Sequence, residues 1–216
     1  SIYLRDKVLS KSKASVINGE FSFTFNMPKD IIPKYGEGKI SFYAYDTINF
    51  LDAHGREEVI VGGIDPNAIL DYIGPDILVY LDNTNFVSGD FVEDSPTLMV
   101  YLYDEQGINY FANGIGHDVT ACLDDDYRQP IDLNSYFTPL LDSYQGGWIN
   151  YPFRNLSEGE HILEIKVWDI HNNPSSKQLT FFVDTHGALK VNQFVNVPNP
   201  SNDQTKFVFN HNKPGL

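Results

Sequence analysis

The chain has 216 residues, of which 42% are hydrophobic and 14% aromatic, so it has ample apolar material for a packed core and is not a disordered polypeptide. Its 15 basic and 29 acidic residues give a formal net charge of -14, which repels phosphate backbones and argues against nucleic acid as a partner. A single cysteine, Cys122, excludes an internal disulfide and a cysteine-based zinc site, and no apolar run reaches the roughly 18 to 20 residues of a membrane span.

The first part of the chain has the residue alternation of β-strands. Three phenylalanines alternate with polar residues over 21–25, which predicts a half-buried strand with three rings on one face. Apolar alternation over 40–45 and the run 59–61 predict two further strands that end at turn residues. Together they predict a β-sandwich domain over residues 1–65, truncated on its N-terminal side.

A domain boundary is predicted where Asp65-Pro66 and Gly74-Pro75 bracket a short segment, 67–72, that suits one helical turn or a linker. Several short strands follow, separated by clusters of Gly, Asn, Asp and Pro, and this spacing predicts an immunoglobulin-like β-sandwich over 66–185. The strand candidates are Asp76–Leu81, Thr97–Tyr103, Asp118–Leu123, Trp148–Pro152, His161–Trp168 and Lys177–Val183.

The last segment, 186–216, holds two strand patterns, the second at Phe207-Val208-Phe209. About 30 residues with two strands cannot bury a core alone, so this segment is predicted to be the incomplete start of a C-terminal β-sandwich. The predicted fold class is therefore all-β, with consecutive immunoglobulin-like β-sandwich domains, the last truncated.

Two acidic residues follow strands and are candidate metal ligands. Asp104 and Asp169 each end an apolar strand and precede a turn, so each could cap its turn through Asx-type hydrogen bonds. Alternatively, both could lie at one pole of the sandwich and share a calcium ion, the one cofactor the sequence suggests. The run 124–126 also offers carboxylates, but it lacks the ligand spacing of an EF-hand, which favours a solvated turn.

No catalytic residue is predicted. His117 and Asp118 could form a ligand pair or a dyad, but the glycines at 114 and 116 favour a tight turn in which both side chains bond to loop backbone. Strict alternation places Cys122 opposite the apolar face of its strand, and the acidic run that follows it opposes a reactive thiolate.

Aromatic residues leave a second function open. In the strand that ends at Trp168, the core face is predicted to be Leu163, Ile165 and Val167, so Trp168 lies on the more polar face. An exposed indole there could stack on a sugar, meet a neighbouring domain or pack under a loop. The same alternatives hold for the cluster Tyr144, Trp148, Tyr151 and Phe153.

Short motifs along most of the chain resemble the region that follows the catalytic domain in gingipain-family cysteine peptidases. Each motif alone is moderately specific, and the resemblance rests on their order. The motifs are Gly38–Ala44, Asp52–Gly55, Val61–Gly63, Gly74–Ile77, Asp104 with Gly107–Asn109, Gly114–Asp118, Leu156–His161, and Trp168-Asp169 with Asn172–Pro174.

The resemblance implies a function for a parent protein rather than for these residues. Within the gingipain family, the chain most resembles a cell-surface sortase of the type IX secretion system. That sortase removes C-terminal sorting domains from cargo at the outer membrane. No caspase-like segment or His-then-Cys motif of the family's catalytic domain is recognisable here. The implied role is therefore a non-catalytic region whose partners are its own catalytic domain, cargo sorting domains and other secretion components.

The alternative is a carbohydrate-binding or adhesive surface module. It requires Trp148, Tyr151 and Trp168 to form an exposed platform on one open face. Burial of these rings favours the accessory role instead.

Overall fold

The structure, a computed structural model, describes residues 8–31, 34–111, 116–185, 191–200 and 203–211. Within these residues the chain forms thirteen strands and one short 3-10 helix at Asn134–Tyr136, with no α-helix. No helix in this described part is long and apolar enough to cross a membrane. The predicted all-β class is confirmed.

The first two strands form a long hairpin. Strand β1 (Gly36–Asp46) pairs antiparallel with β2 (Leu51–Val61), in a register that runs from Gly36 opposite Val61 to Asp46 opposite Leu51. At the tip, the Asp46 carboxylate accepts hydrogen bonds from the backbone N–H groups of Ile48 and Asn49, which closes the turn. Both predicted strands are present and are longer than their sequence patterns indicated.

The segment 21–25 differs from its prediction, because it belongs to no strand ladder among the described residues. Its alternation nevertheless places the three rings together. The ring centroids of Phe21 and Phe23 lie 6.5 Å apart, and those of Phe23 and Phe25 lie 6.0 Å apart. Phe42 of β1 packs edge-on against Phe21 at 5.3 Å. The predicted strand is therefore wrong: the rings pack on one another and on β1, while the backbone of 21–25 joins no strand ladder in the part of the chain that the structure describes.

The central part of the chain is a complete two-sheet sandwich. One sheet has four strands in the order β3-β5-β9-β8, and the other has five in the order β4-β11-β10-β6-β7. The strands are β3 (Asp76–Leu81), β4 (Phe91–Val92), β5 (Thr97–Tyr103), β6 (Thr120–Leu123), β7 (Ile131–Asp132), β8 (Phe137–Pro139), β9 (Gly146–Pro152), β10 (Gly159–Trp168) and β11 (Pro174–Val183).

This topology is immunoglobulin-like. The order β3-β5-β9-β8 corresponds to strands A, B, E and D of that fold, and β11-β10-β6-β7 corresponds to G, F, C and an added edge strand. All six strands predicted for this part are present. The three that the sequence analysis missed, β4, β7 and β8, have only two or three residues each and carry no periodic signal.

The core lies between the two sheets and follows the alternation of their central strands. On β5 the inward side chains are Leu98, Val100 and Leu102, each fully buried, and on β10 they are the predicted Leu163, Ile165 and Val167. Burying an aliphatic side chain of this size contributes about 1.5 to 3 kcal/mol, so each of these six residues contributes substantially to the stability of the sandwich.

The linker between the hairpin and the sandwich has no helical turn and runs irregularly from residue 62 to β3. Gly74 brings it against the start of β11, because a Cβ at that position would lie 2.5 Å from the carbonyl oxygen of Pro174. The linker therefore crosses the end of the sandwich where β3 and β11 begin.

The last described residues form a second hairpin. Strand β12 (Val191–Val197) pairs antiparallel with β13 (Lys206–His211). Phe194 stacks on Phe207 at a centroid distance of 5.1 Å, and both rings are exposed. The predicted pair of strands is present, while 186–190 and 212–216 lie outside the described residues.

Candidate functional site

Buried polar groups concentrate at one pole of the sandwich, beyond the ends of β5 and β10. Asp104 follows β5 and is 6% exposed, and Asp169 follows β10 and is fully buried. Asp104 accepts hydrogen bonds from the backbone N–H groups of Gln106 and Gly107 at 2.8 and 2.9 Å. Each carboxylate thus organises the turn that follows it.

Asp169 accepts more hydrogen bonds than Asp104. Its Oδ1 accepts the backbone N–H of His171 at 2.9 Å and of Asn173 at 2.7 Å, and its Oδ2 accepts the Asn173 side-chain amide at 2.7 Å. The same Asn173 amide also donates to the backbone oxygen of Asp71, at 3.1 Å. The linker is therefore attached to the turn after β10.

Two other carboxylates at this pole act on the carboxyl group of Asp104. Burial raises the pKa of Asp104, and the negative charges of Asp169 and Asp71 raise it further. The hydrogen bonds from the Gln106 and Gly107 N–H groups lower this pKa, but they do not outweigh the other effects, so the pKa lies above its usual value. The sequence analysis placed Asp104 and Asp169 as candidates for one pole, and the structure brings their turns together there. Asp71 was missed because an acidic residue in a linker has no signal until the linker is packed.

Asp71, Asp169 and His171 could hold a metal ion. One ligand atom from each of these side chains lies within 4.8 Å of the other two. His171 was also missed, since its position depends on the turn that Asp169 organises.

A second polar cluster, centred on Asp30, lies beside the first. The Oδ2 atom of Asp30 lies 2.8 Å from Nδ1 of His117, and its Oδ1 accepts the Asn172 amide at 2.7 Å. The Asn109 amide donates to Oδ2 at 3.3 Å. Burial is the largest single influence on the Asp30 pKa and raises it, but these hydrogen bonds and the His117 charge outweigh it, so the pKa lies below its usual value.

His117 therefore pairs with a distant acid rather than with its neighbour Asp118. Asp118 instead accepts the Asn134 side-chain amide at 3.0 Å. The His117 ring packs against Trp168 at a centroid distance of 4.5 Å. The Nζ atom of Lys166 lies 4.9 Å from the centroid of the same indole ring. Gly114 and Ile115, the first residues of the motif, lie outside the described residues.

Cys122 has the surroundings of an inert thiol. Its strand position faces Glu164 of β10 in the register, and the residue is buried. Burial raises the pKa of Cys122, and the charges of Asp125 and Glu164 raise it further. Because the thiolate is the nucleophilic form, this site opposes covalent catalysis.

The acidic run after β6 forms a turn. Asp124 and Asp125 both have positive φ, 53° and 57°, so the backbone is left-handed there. The Asp124 carboxylate accepts the Ile162 backbone N–H at 3.0 Å and lies 2.8 Å from Nδ1 of the buried His161. The Asp124 carboxylate oxygens therefore bind residues of β10 and hold that strand against the turn.

The aromatic residues do not form one open face. Trp148 and Tyr151 are three positions apart on β9, so alternation places them on opposite faces of the sheet. Tyr151 packs against the core and against Phe153, which is 4% exposed. Trp168 belongs to the other sheet and is partly buried. A cavity of about 480 Å³ lies elsewhere, between residues of the segment Leu81–Val92 and Phe209 and His211 of β13.

The strand order and the core define the class of protein: an all-β chain built on an immunoglobulin-like β-sandwich. Three of its four buried polar residues, Asp104, Asn109 and Asp169, lie at one pole. No family model matches the sequence, and no curated protein matches it.

Among solved structures, the chain is similar to dimeric latent PorU from Porphyromonas gingivalis, known from a crystal structure, with a TM-score of 0.53 and 33% sequence identity. The similarity covers 91% of this chain and 18% of that chain, so the chain spans less than a fifth of the length of the protein it matches. The chain is therefore similar in fold and in sequence to a part of PorU.

Proposed function

We propose that this chain is a non-catalytic β-sandwich region of a PorU-like surface sortase, a gingipain-family cysteine peptidase that processes the C-terminal sorting domains of type IX secretion cargo. Its role is to support the catalytic domain and to dock cargo or other secretion components at the outer-membrane surface. The observation that carries this proposal is 33% identity to PorU over 91% of the chain.

The chemistry of the described residues supports a non-catalytic role. A cysteine peptidase needs a thiolate, a base within hydrogen-bond reach and a group that orients the base. Here the Nδ1 atom of His117 lies 2.8 Å from Oδ2 of Asp30, so these two residues have the geometry of a base and its orienting group. The thiol of Cys122, however, is buried in β6, where burial and the charges of Asp125 and Glu164 raise its pKa. The pair of His117 and Asp30 instead joins the N-terminal segment to the sandwich.

The aromatic residues also favour the accessory role over a carbohydrate-binding module. Stacking on a sugar requires rings on one exposed face. Trp148 and Tyr151 lie on opposite faces of their sheet, and Phe153 belongs to the core.

A segment exchange in Porphyromonas gingivalis PorU tests the proposal. The part of PorU that aligns with this chain is replaced by the chain, and cleavage of sorting domains from secreted cargo is measured on immunoblots. A PorU carrying an unrelated immunoglobulin-like sandwich in the same place is the matched control. We expect cargo to be processed with this chain and to accumulate uncleaved in the control.

Two outcomes contradict the proposal. One is uncleaved cargo in both exchanges when both chimeras reach the surface in equal amounts. The other is cleavage of a sorting-domain peptide by the isolated chain that is lost in Cys122→Ala, since that result makes the chain itself a peptidase.

A further inference from the structure

We propose that Asp71, Asp169 and His171 form a binding site for a divalent transition-metal ion of the zinc class, which ties the linker to the sandwich. The three side chains come from two separate parts of the chain, the linker before β3 and the turn after β10. The proposal does not depend on the likeness to PorU.

The spacing of the donor atoms suits a small ion. One ligand atom from each side chain lies within 4.8 Å of the other two. Donors about 2.0 to 2.1 Å from a tetrahedral zinc are roughly 3.4 Å from one another, so side-chain rotations that close the gap by about 1.4 Å complete the site. The backbone N–H of His171 donates a 2.9 Å hydrogen bond to Oδ1 of Asp169, and this bond already holds the two residues in position relative to each other.

An independent observation points to a ligand at this place. The Nδ1 atom of the His171 ring is buried and has no hydrogen-bond partner in the described part of the protein, and the same holds for Asn109 Oδ1, Trp168 Nε1 and Asn172 Oδ1. Of these four atoms, only the one of His171 belongs to the group of candidate metal ligands. A buried ring nitrogen without a partner is costly, and native structures seldom leave one unexplained. Imidazole is also among the commonest protein ligands of zinc.

The local charge favours a cation as well. A carboxylate oxygen of Asp71 and one of Asp169 lie within 4.8 Å of each other, so two negative charges meet at this place. Among the described residues, Asp30, Asp124 and Asp126 form ion pairs with His117, His161 and Arg128, respectively, and none of these acids belongs to the group. A divalent ion neutralises this cluster of negative charge.

The donor set distinguishes zinc from calcium. Calcium takes six to eight oxygen ligands, whereas this group supplies one imidazole and two carboxylates. Three protein ligands and a water molecule complete a tetrahedral zinc site. Asp104 lies beside the group and adds negative charge. The sequence suggested a calcium site at Asp104 and Asp169. The proposed site is instead a zinc site whose ligands are Asp169, Asp71 and His171.

Calorimetric titration of the chelator-treated full chain with zinc chloride tests the site. We expect one zinc per chain, and at least a tenfold loss of affinity in Asp71→Asn and in His171→Gln. Asp65→Asn is the matched control, because Asp65 lies in the same linker and accepts a backbone N–H two residues on, as Asp71 does. His54→Gln, on the exposed face of β2, controls for loss of a histidine. Both controls keep wild-type affinity.

Other results overturn the proposal. They are no zinc binding by the wild type, equal affinity in all four variants, or binding of calcium in preference to zinc. A fold readout by circular dichroism accompanies each titration. Because the His171 side chain has a ring nitrogen with no protein partner, His171→Gln is expected to keep the wild-type spectrum. If a variant unfolds, the wild type is titrated with cobalt instead and its visible absorption spectrum is recorded. Absence of the absorption bands of tetrahedral cobalt contradicts the site.

Discussion

At the scale of the residue, the polar pole contains two carboxylates whose pKa values move in opposite directions. Asp30 is surrounded by donors, so its charged form is favoured and its pKa is lowered. Asp104 is buried beside two further carboxylates, so its charged form is disfavoured and its pKa is raised. The two residues therefore affect stability with opposite dependence on pH.

Asp30→Asn is expected to lower the free energy of unfolding at pH 7 by about 1 to 3 kcal/mol, because charged hydrogen bonds to His117, Asn172 and Asn109 are lost. Since the folded pKa lies below the ordinary value of 3.8, this stabilisation is present above pH 3.8 and is lost as the pH falls through the folded pKa. Urea unfolding of both proteins from pH 7 to pH 3 measures the difference. A difference that persists unchanged at pH 3 contradicts the assignment.

Asp104→Asn is expected to raise the free energy of unfolding at pH 7, by about 1 kcal/mol, when metal is removed with a chelator. Asparagine keeps an oxygen for the Gln106 and Gly107 N–H groups and removes a charge that Asp169 and Asp71 repel. Because the folded pKa is raised, the gain is absent below the unfolded pKa and appears as the pH rises through the folded pKa. Thermal unfolding from pH 3 to pH 7 checks this, and a destabilised variant at pH 7 contradicts it.

At the scale of the element, the sheets depend on close approaches that only glycine permits. Gly147 of β9 lies against β8, where a Cβ would be 2.5 Å from the carbonyl oxygen of Thr138. Backbone atoms cannot move aside as the end of a flexible side chain can. The pairing of β8 with β9 therefore requires glycine at this position.

Gly147→Ala is expected to lower the free energy of unfolding by about 2 to 3 kcal/mol, because the added methyl group forces β8 away from β9. Gly55→Ala on β2 is the matched control, since the nearest atom to its Cβ is a Phe42 ring carbon at an ordinary 3.8 Å. We expect the control to change stability by less than about 0.5 kcal/mol. Denaturant unfolding of both variants measures this, and equal losses argue against steric crowding at Gly147.

At the scale of the whole molecule, one complete sandwich carries the core while the hairpins on either side of it expose most of their side chains. All the residues of the main buried cluster lie between Leu81 and Val183. A hairpin of two strands has little stability of its own in water. Opening of the β1–β2 hairpin should therefore cost less free energy than opening of the sandwich.

Limited trypsin digestion is expected to cut at Lys39 and Arg56 of the hairpin before Lys166 and Lys177 of the sandwich. All four side chains are exposed, so the order of cleavage reports the local opening of the backbone. Mass spectrometry of the early fragments identifies the sites. It also tests the division of the chain near residues 65 and 185, which stays a prediction, and early cleavage at Lys166 contradicts it.

Sequence alone determined the all-β class, the six longer strands of the sandwich and the core face of β10, because alternation along a strand is a local property that burial enforces. It also indicated that Asp104 and Asp169 end their strands at turns. Only the tertiary structure decided that residues 21–25 pair with no strand among the described residues, that His117 pairs with Asp30, and that Asp71 and His171 join Asp169. The contacts of His117 with Asp30 and of Asp71 with Asp169 join residues about 90 to 100 positions apart, and the second also depends on a linker without periodicity. Their geometry therefore exists only when the sheets are packed.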